Sequence, residues 1–289
     1  MQGSTSDSTA GAGGSEGVGR NEAQMQSGEP KYSVQVLIDA ASILGAFGRR
    51  NTPLGIAEIS GAVGIGRSKV HRLLDTLRFL GFVEQDQESR KYRLGLRVFE
   101  LAAAAGSRFD LGPAARQALQ ELVWATEETV NVGVLQGTDV LYIDNVRGFG
   151  PVRLEVDVGT RAPASATALG KAILAHETPE RVERVLSEPL VALTRNSIVD
   201  PDRLREELRR TREQGYALDD EESYPGIRCV AVAVFDYTGC PAASIAVSGP
   251  AGRLPVSKLL GFVAHLRDTA ERISLAKEFV GNPASPLER

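Results

Sequence analysis

Between Ile56 and Leu80 the chain reads IAEISGAVGIGRSKVHRLLDTLRFL, two short helical patterns separated by a glycine-containing turn. In the second pattern Val70, Leu73, Leu74, Leu77 and Leu80 recur at helical spacing, which predicts one buried face. The other side opens with Arg67, Ser68, Lys69, His71 and Arg72. Gly64 and Gly66 stand where the chain reverses, and glycine tolerates the positive φ that such turns often need. Ser60, Gly64 and Val70 keep a small–turn–apolar spacing: the small residue lets the helices approach, and Val70 fills the space between them. A basic, hydroxyl-rich helix start on an apolar-backed helix suits a reader of the DNA major groove. A solvated two-helix corner would share the apolar pattern, so the flanking segments decide.

They favour the groove reader. Residues Gly81 to Gly95, GFVEQDQESRKYRLG, predict two short strands, Phe82–Gln85 and Lys91–Leu94, around a polar turn. Arg90, Lys91 and Arg93 then sit on a wing, placed to meet phosphate. A preceding helix, Val34 to Phe47, offers an apolar stripe of Val34, Leu37, Ile38, Ala41 and Leu44. Three helices and a wing make a winged helix-turn-helix. From Lys31 to Arg97 there are eleven Lys and Arg against six Asp and Glu, a balance of +5 in a chain of net charge −4. The remainder therefore carries −9. A basic module on an acidic body fits a polyanion partner for one domain only.

The segments KYSVQVLIDAASILGAF, SKVHRLLDTLRFLGFVE and KYRLGLRVFELA resemble the DNA-binding half of the IclR-type transcriptional regulators. Further on, APASATALGKAILA, GYALDDEESYPGIRCVAVAVFD and ASIAVSGP resemble their effector-binding half. The resemblance spans about residues 32 to 280 and rests on two motif groups in the right order. It implies a regulator, commonly a repressor, that binds double-stranded operator DNA as a homodimer or homotetramer and answers to a small organic acid.

The rest of the chain fits that outline. At 289 residues two domains are expected. Residues 1–30, rich in Gly, Ser, Thr and Glu, read as a disordered tail, and residues 281–289 as a flexible one. A winged domain over 31–95 and a linker helix over 96–111, LRVFELAAAAGS at its core, come next; the resemblance makes this helix a dimerisation element. The effector domain then runs over 112–280. It begins with a helix from Pro113 to Glu127 that faces inward through Ala115, Leu119, Leu122 and Val123. Strands are expected at Val130–Gln136, Val140–Val146, Arg153–Val158, Tyr216–Asp219, Cys229–Phe235 and Ala242–Ser248. Helices are expected at Thr167–His176, Pro179–Leu186, Pro201–Gln214 and Val256–Phe279. Hairpins with helices at both ends imply an α+β antiparallel sheet covered by helices, which the resemblance makes GAF- or profilin-like. No apolar run suits a membrane span, no secretory leader is evident, and cytoplasmic residence is expected. Two distant cysteines and three histidines give no metal-binding pattern, and no cofactor is expected.

Ser165, Ala166 and Thr167 lead straight into a helix, where backbone N–H groups suit a carboxylate; Ser165 or Thr167 could equally be a plain cap. From the resemblance, the ligand-contacting positions fall on Asp219, Cys229, Ser248 and the amides around Ser165 and Ala166, with Leu154 and Ile227 as apolar walls. Where several relatives carry a second strand hydroxyl this chain has Ala246, which predicts an acid larger or more apolar than glyoxylate or pyruvate, such as an aromatic one. Asp219 facing a carboxylate must either accept from a ligand hydroxyl or hold a proton of its own. Two other readings stand beside the sensor: a scaffold body that only dimerises, and a thiol enzyme built on Cys229. The second lacks a positioned base, since His176 and His265 fall on helices away from that strand, so no catalytic residue is assigned. On the DNA side Arg67 or Lys69 is expected to read guanine, with Ser68, His71 and Arg72 close by and Arg90 and Lys91 on phosphate.

Overall fold

The computed structural model describes residues 32–48, 52–106, 111–150 and 156–275. Both expected tails, Leu154 and the first part of the strand expected from Arg153 lie outside the described residues, as does the end of the closing helix. The chain divides into two compact units, Met1–Glu100 and Leu101–Arg289.

In the first unit α1 (Gln35–Gly48), α2 (Ile56–Val63) and α3 (Arg67–Phe79) enclose a small apolar core with a two-stranded wing, β1 (Val83–Gln85) and β2 (Tyr92–Leu94). Ile43, Ile59, Val70 and Leu74 are fully buried, each contributing about 1.5–3 kcal/mol of transfer free energy. Gly64 takes φ +69 at the end of α2 and donates to Ser60 O, the left-handed cap that turns one helix into the next. Gly66 has an ordinary φ of −59 and starts α3. Ser60 donates through Oγ to Ile65 O at 2.6 Å, which ties the turn down from inside. Leu54 bridges to Tyr92 and adds a third chain to the wing.

The face expected of α1 is not the one it buries. Asp39, Ile43, Ala46 and Phe47 point inward, whereas Val34, Leu37, Ile38 and Ala41 are exposed and Leu44 is half-buried. The helix is apolar on more than one side, so spacing alone does not choose; Phe47 has the most area to gain from burial, and Asp39 is held inside by a cation from α3. Leu80 likewise ends α3 exposed instead of joining its buried face.

A helix α4 (Leu96–Gly106) leads into the second unit. That unit comprises α5 (Gly112–Thr126), β3 (Thr129–Gln136), β4 (Asp139–Val146), β5 (Arg161–Pro163), α6 (Ala168–Leu174), α7 (Pro179–Ser187) and α8 (Pro201–Gln214). It ends with β6 (Ala217–Asp220), β7 (Ile227–Phe235), β8 (Pro241–Pro250), α9 (Val256–Gly261) and α10 (Val263–Leu275). The strands form one antiparallel sheet in the order β5-β4-β3-β8-β7-β6. Two apolar layers flank it: α5, α9 and α10 on one face, α6, α7 and α8 on the other.

β7 shows why the layers differ. Its sequence IRCVAVAVF alternates, sending Val230, Val232 and Val234 to the α5/α10 side and Cys229 and Ala231 to the α6 side. Small side chains let α6 pack close. A Cβ on Gly133 would lie 2.5 Å from Val140 Cγ1, and one on Gly170 would lie 2.2 Å from Ala164 O.

Two expectations about elements fail. Residues 156–158 are not strand; the chain turns at Gly159, φ +91, meets Tyr142 of β4 through the backbone of Gly159 and Thr160, and continues as β5. The closing helix breaks at Phe262, whose N–H donates to Leu259 O in a tighter turn that brings its ring to the core. No helix among the described residues is long and apolar enough to cross a membrane.

Candidate functional site

In the first unit the candidate surface is the side of α3 opposite Val70, Leu74 and Leu77. Arg67, Ser68, Lys69, His71 and Arg72 are all exposed there. They differ in what already holds them. Lys69 Nζ is paired with Asp39 of α1, a carboxylate almost fully buried. That lysine, with Gln35 beside it, holds the Asp39 carboxyl below the usual range. The expectation that Lys69 could read guanine is thereby weakened: its ammonium braces α3 against α1. His71 Nδ1 lies 3.5 Å from Asp75 Oδ2, one turn on. The side chains of Arg67 and Arg72 have no hydrogen-bond or ion-pair partner among the described residues.

The wing is built to hold its tip still. Asp86 Oδ1 accepts from Ser89 N and Ser89 Oγ, both at 2.7 Å, and Arg90 N donates to Asp86 O. Arg90 occupies the left-handed region at φ 58, and its carbonyl accepts from Gln85 Nε2. Its guanidinium is unpaired among the described residues and points from a fixed backbone. Lys91 is 3.5 Å from Glu58 Oε2, which also accepts the N–H of Gly55 at the start of α2. Arg93 pairs across the wing with Glu84, its register partner.

In the second unit the expected effector residues converge on the α6 face of the sheet. Asp219, Cys229, Ser248 and Thr129 lie directly opposite one another on β6, β7, β8 and β3. Side chains opposed in an antiparallel sheet share a face, so these four form one row. Ala217, Ala231, Ala246 and Asn131 form the next. Ser165, Ala166 and Thr167 are buried at the entry to α6, and half-buried Ile227 packs on the same layer. Polar groups are therefore gathered where a core would ordinarily be apolar.

Their partners define what remains free. Thr167 Oγ1 accepts from Gly170 N at 3.0 Å and is the N-cap of α6. Asp219 Oδ1 accepts from Glu222 N at 2.7 Å and Ser223 N at 3.2 Å, while Oδ2 accepts from Ser223 Oγ. Its carboxylate thus shapes the loop that follows β6, rather than standing open to a ligand hydroxyl. Burial pushes its carboxyl above the ordinary range, against those hydrogen bonds and Lys171. Burial, with Asp219 adding, also pushes the Cys229 thiol far up, with a weaker opposing pull from Ser248. A thiol so disfavoured as thiolate is the reverse of an activated nucleophile.

Several groups here were not anticipated. Lys171 of α6 is completely buried, 2.6 Å from Glu222 Oε1 and 3.5 Å from Glu207 Oε1. Burial raises the Glu222 carboxyl despite that lysine. Tyr142 belongs to the same layer, its ionisation pushed up by burial and by Cys229 and Asp219. Asn131 donates through Nδ2 to Ser248 Oγ at 3.2 Å. The available signals were faint: one lysine inside the apolar run ALGKAILA, and one amide at an alternate position of the apolar strand TVNVGV. No group of three or more metal-ligating side chains occurs among the described residues.

Two family models match the chain: Bacterial transcriptional regulator IclR C-terminal over residues 103–275, and IclR helix-turn-helix domain over residues 38–87. The HTH-type transcriptional regulator KdgR of Escherichia coli (strain K12) is 36% identical over 243 residues, 84% of this chain and 92% of that protein. Transcriptional repressor IclR of the same organism is 32% identical over 246 residues, covering 84% and 90%. Among solved structures, an IclR transcriptional regulator from Alicyclobacillus acidocaldarius matches with a TM-score of 0.73 at 30% identity, over 84% of this chain and 98% of that one. An IclR homolog from Microbacterium hydrocarbonoxydans, complexed with 4-hydroxybenzoate, gives 0.73 at 24% identity over 84% and 98%, a likeness of fold.

Proposed function

Because the chain belongs to the IclR family of transcriptional regulators, we propose that it is a ligand-responsive repressor whose operator affinity changes when a small carboxylic acid occupies the second unit. It acts on palindromic DNA in the cytoplasm, as a dimer or a dimer of dimers. One recognition helix covers only a few base pairs, and a symmetric pair doubles the contact. Arg67 reads base edges, with Ser68, His71 and Arg72 beside it; Arg90 and Lys91 hold phosphate, and Lys69 braces the helix. The acid lies against Cys229, Ser248, Ala246 and Ile227, its carboxylate toward the backbone at Ser165 and Ala166. Asp219 fixes the loop beside it.

The observation that supports this reading most is the buried polar row Asp219–Cys229–Ser248–Thr129, set among alanines and aliphatics on the α6 side of the sheet. Buried polar groups cost stability, and a sensor retains them because its ligand uses them. A relative bearing the name repressor supports the sign. Binding would favour one arrangement of subunits, and helix α4 of each would pass it to the recognition helices. The test is a mobility-shift assay on DNA upstream of the chain's own gene with a panel of metabolic acids, paired with thermal denaturation. Retardation released by one acid that also raises the melting temperature saturably is expected. Retardation that no acid changes, with no saturable stabilisation, would leave the second unit as a dimerisation scaffold.

A further inference from the structure

Asn131 is 1% exposed, yet its side-chain Oδ1 has no hydrogen-bond partner among the described residues. Its Nδ2 is committed to Ser248 Oγ. Ser248 lies directly opposite Cys229 on β7, so its hydroxyl proton can turn toward that sulfur and its oxygen can take the amide N–H. That chain sets which way up the amide sits and leaves the carbonyl end open. The protein offers nothing to fill it from the sheet. Along the row, β8, β7 and β6 contribute only the methyls of Ala246, Ala231 and Ala217. On the other side Asn145 is in register, and its amide donates to Val156 O instead. A buried acceptor is seldom left unmade without a functional reason.

We infer that Asn131 is a specificity-determining residue whose side-chain carbonyl accepts a hydrogen bond from a hydroxyl on the bound acid, so that the protein responds to hydroxylated carboxylic acids over their unsubstituted counterparts. The inference rests on the reading that this sheet face takes an acid, and refines it. A site arranged to bond a hydroxyl rejects the analogue that lacks one, because the buried acceptor is then stranded. Ala246, opposite Asn131, is what keeps the carbonyl open; a hydroxyl there would fill it from within the protein.

The experiment uses the full chain and paired probes: benzoate against meta- and para-hydroxybenzoate, and phenylpropanoate against phenyllactate. Dissociation constants come from calorimetry and melting temperatures from ligand-free and ligand-saturated protein. Wild type should bind at least one hydroxylated member about tenfold tighter than its partner, as the loss of one buried hydrogen bond implies. Asn131→Ala should erase that preference. Ala246→Ser should also erase it while raising the ligand-free melting temperature, and it keeps the test open if Asn131→Ala does not fold. Equal affinities within every pair in wild type would overturn the inference and leave the acid sensor standing. So would a preference that survives Ala246→Ser together with a lowered melting temperature. Failure of every probe to bind saturably would overturn this inference, whereas the acid-sensor reading falls only if the panel of metabolic acids fails as well.

Discussion

Each unit of this protein carries a lysine on a helix paired with a carboxylate from elsewhere, and the two pairs are built oppositely. Lys69 is about half exposed and reaches down to Asp39, which is buried. Lys171 and Glu222 are both inside, with Glu207 close by. The first unit turns its cations outward and keeps an apolar core behind them, as the DNA contact proposed above requires of a partner too large to enclose. The second turns its polar groups inward, as the proposed recognition of a small acid by surrounding it requires. A surface pair is screened and adds little; an enclosed one is costly to break, since the survivor is left charged in a poor solvent.

The largest effect that would test this contrast is the removal of one partner from the inner pair. Lys171→Met should cost about 3–5 kcal/mol of unfolding free energy, read by urea denaturation. Lys69→Met should cost less, because the pair is open to water on the lysine side and Asp39 keeps its hydrogen bond from Gln35. Comparable losses would mean that the outer pair is as enclosed as the inner one, and the comparison would fail.

Next in size is the split among exposed cations. Arg67→Ala should remove about 1–3 kcal/mol of discrimination between operator and mismatched duplex, measured by competition binding. Lys91→Ala should instead weaken all duplexes alike and flatten the salt dependence by about one unit of slope. Identical sequence profiles for the two variants would break the division between base reading and phosphate holding.

The contrast also explains what could be read from the chain alone. The outward-facing unit was legible because cations on an apolar-backed helix leave a pattern in one dimension: Val70, Leu74 and Leu77 mark one side, and Arg67 to Arg72 the other. Most strands of the second unit were legible by alternation, and Asp219, Cys229 and Ser248, which the resemblance marks as ligand-contacting, lie in one row. What escaped were pairings made across the fold. Lys69 with Asp39, Lys171 with Glu222 and Asn131 with Ser248 are separated by 30, 51 and 117 residues, and no local periodicity records them. The buried side of α1 was misassigned for the same reason: Asp39 turns inward only because a lysine from another helix meets it.

The smallest effect, and the one that separates the two units most directly, is the response to acid. Lys69 holds the Asp39 carboxyl below its ordinary value of 3.8, so its contribution is complete above that value and is lost as pH falls through the lower folded value. Asp219 is raised from 3.8 by burial, so the native state there binds more protons than the unfolded chain. Between 3.8 and its raised value its contribution to stability must fall as pH rises, and Glu222 behaves the same way from 4.5 upward. The single tryptophan, Trp124, lies in α5 and reports on the second unit alone. Urea midpoints followed by its fluorescence in wild type and Asp219→Asn should therefore converge toward pH 3.8 and separate as pH rises, the wild type losing ground relative to the variant. Hydrogen exchange at the core amides of α1 and α3 should show the opposite slope, confined below pH 3.8 and abolished in Asp39→Asn. A wild-type advantage that grows with pH in the tryptophan-monitored transition would mean that Asp219 is stabilised as a carboxylate by its loop, and that burial does not dominate in the inward-facing unit.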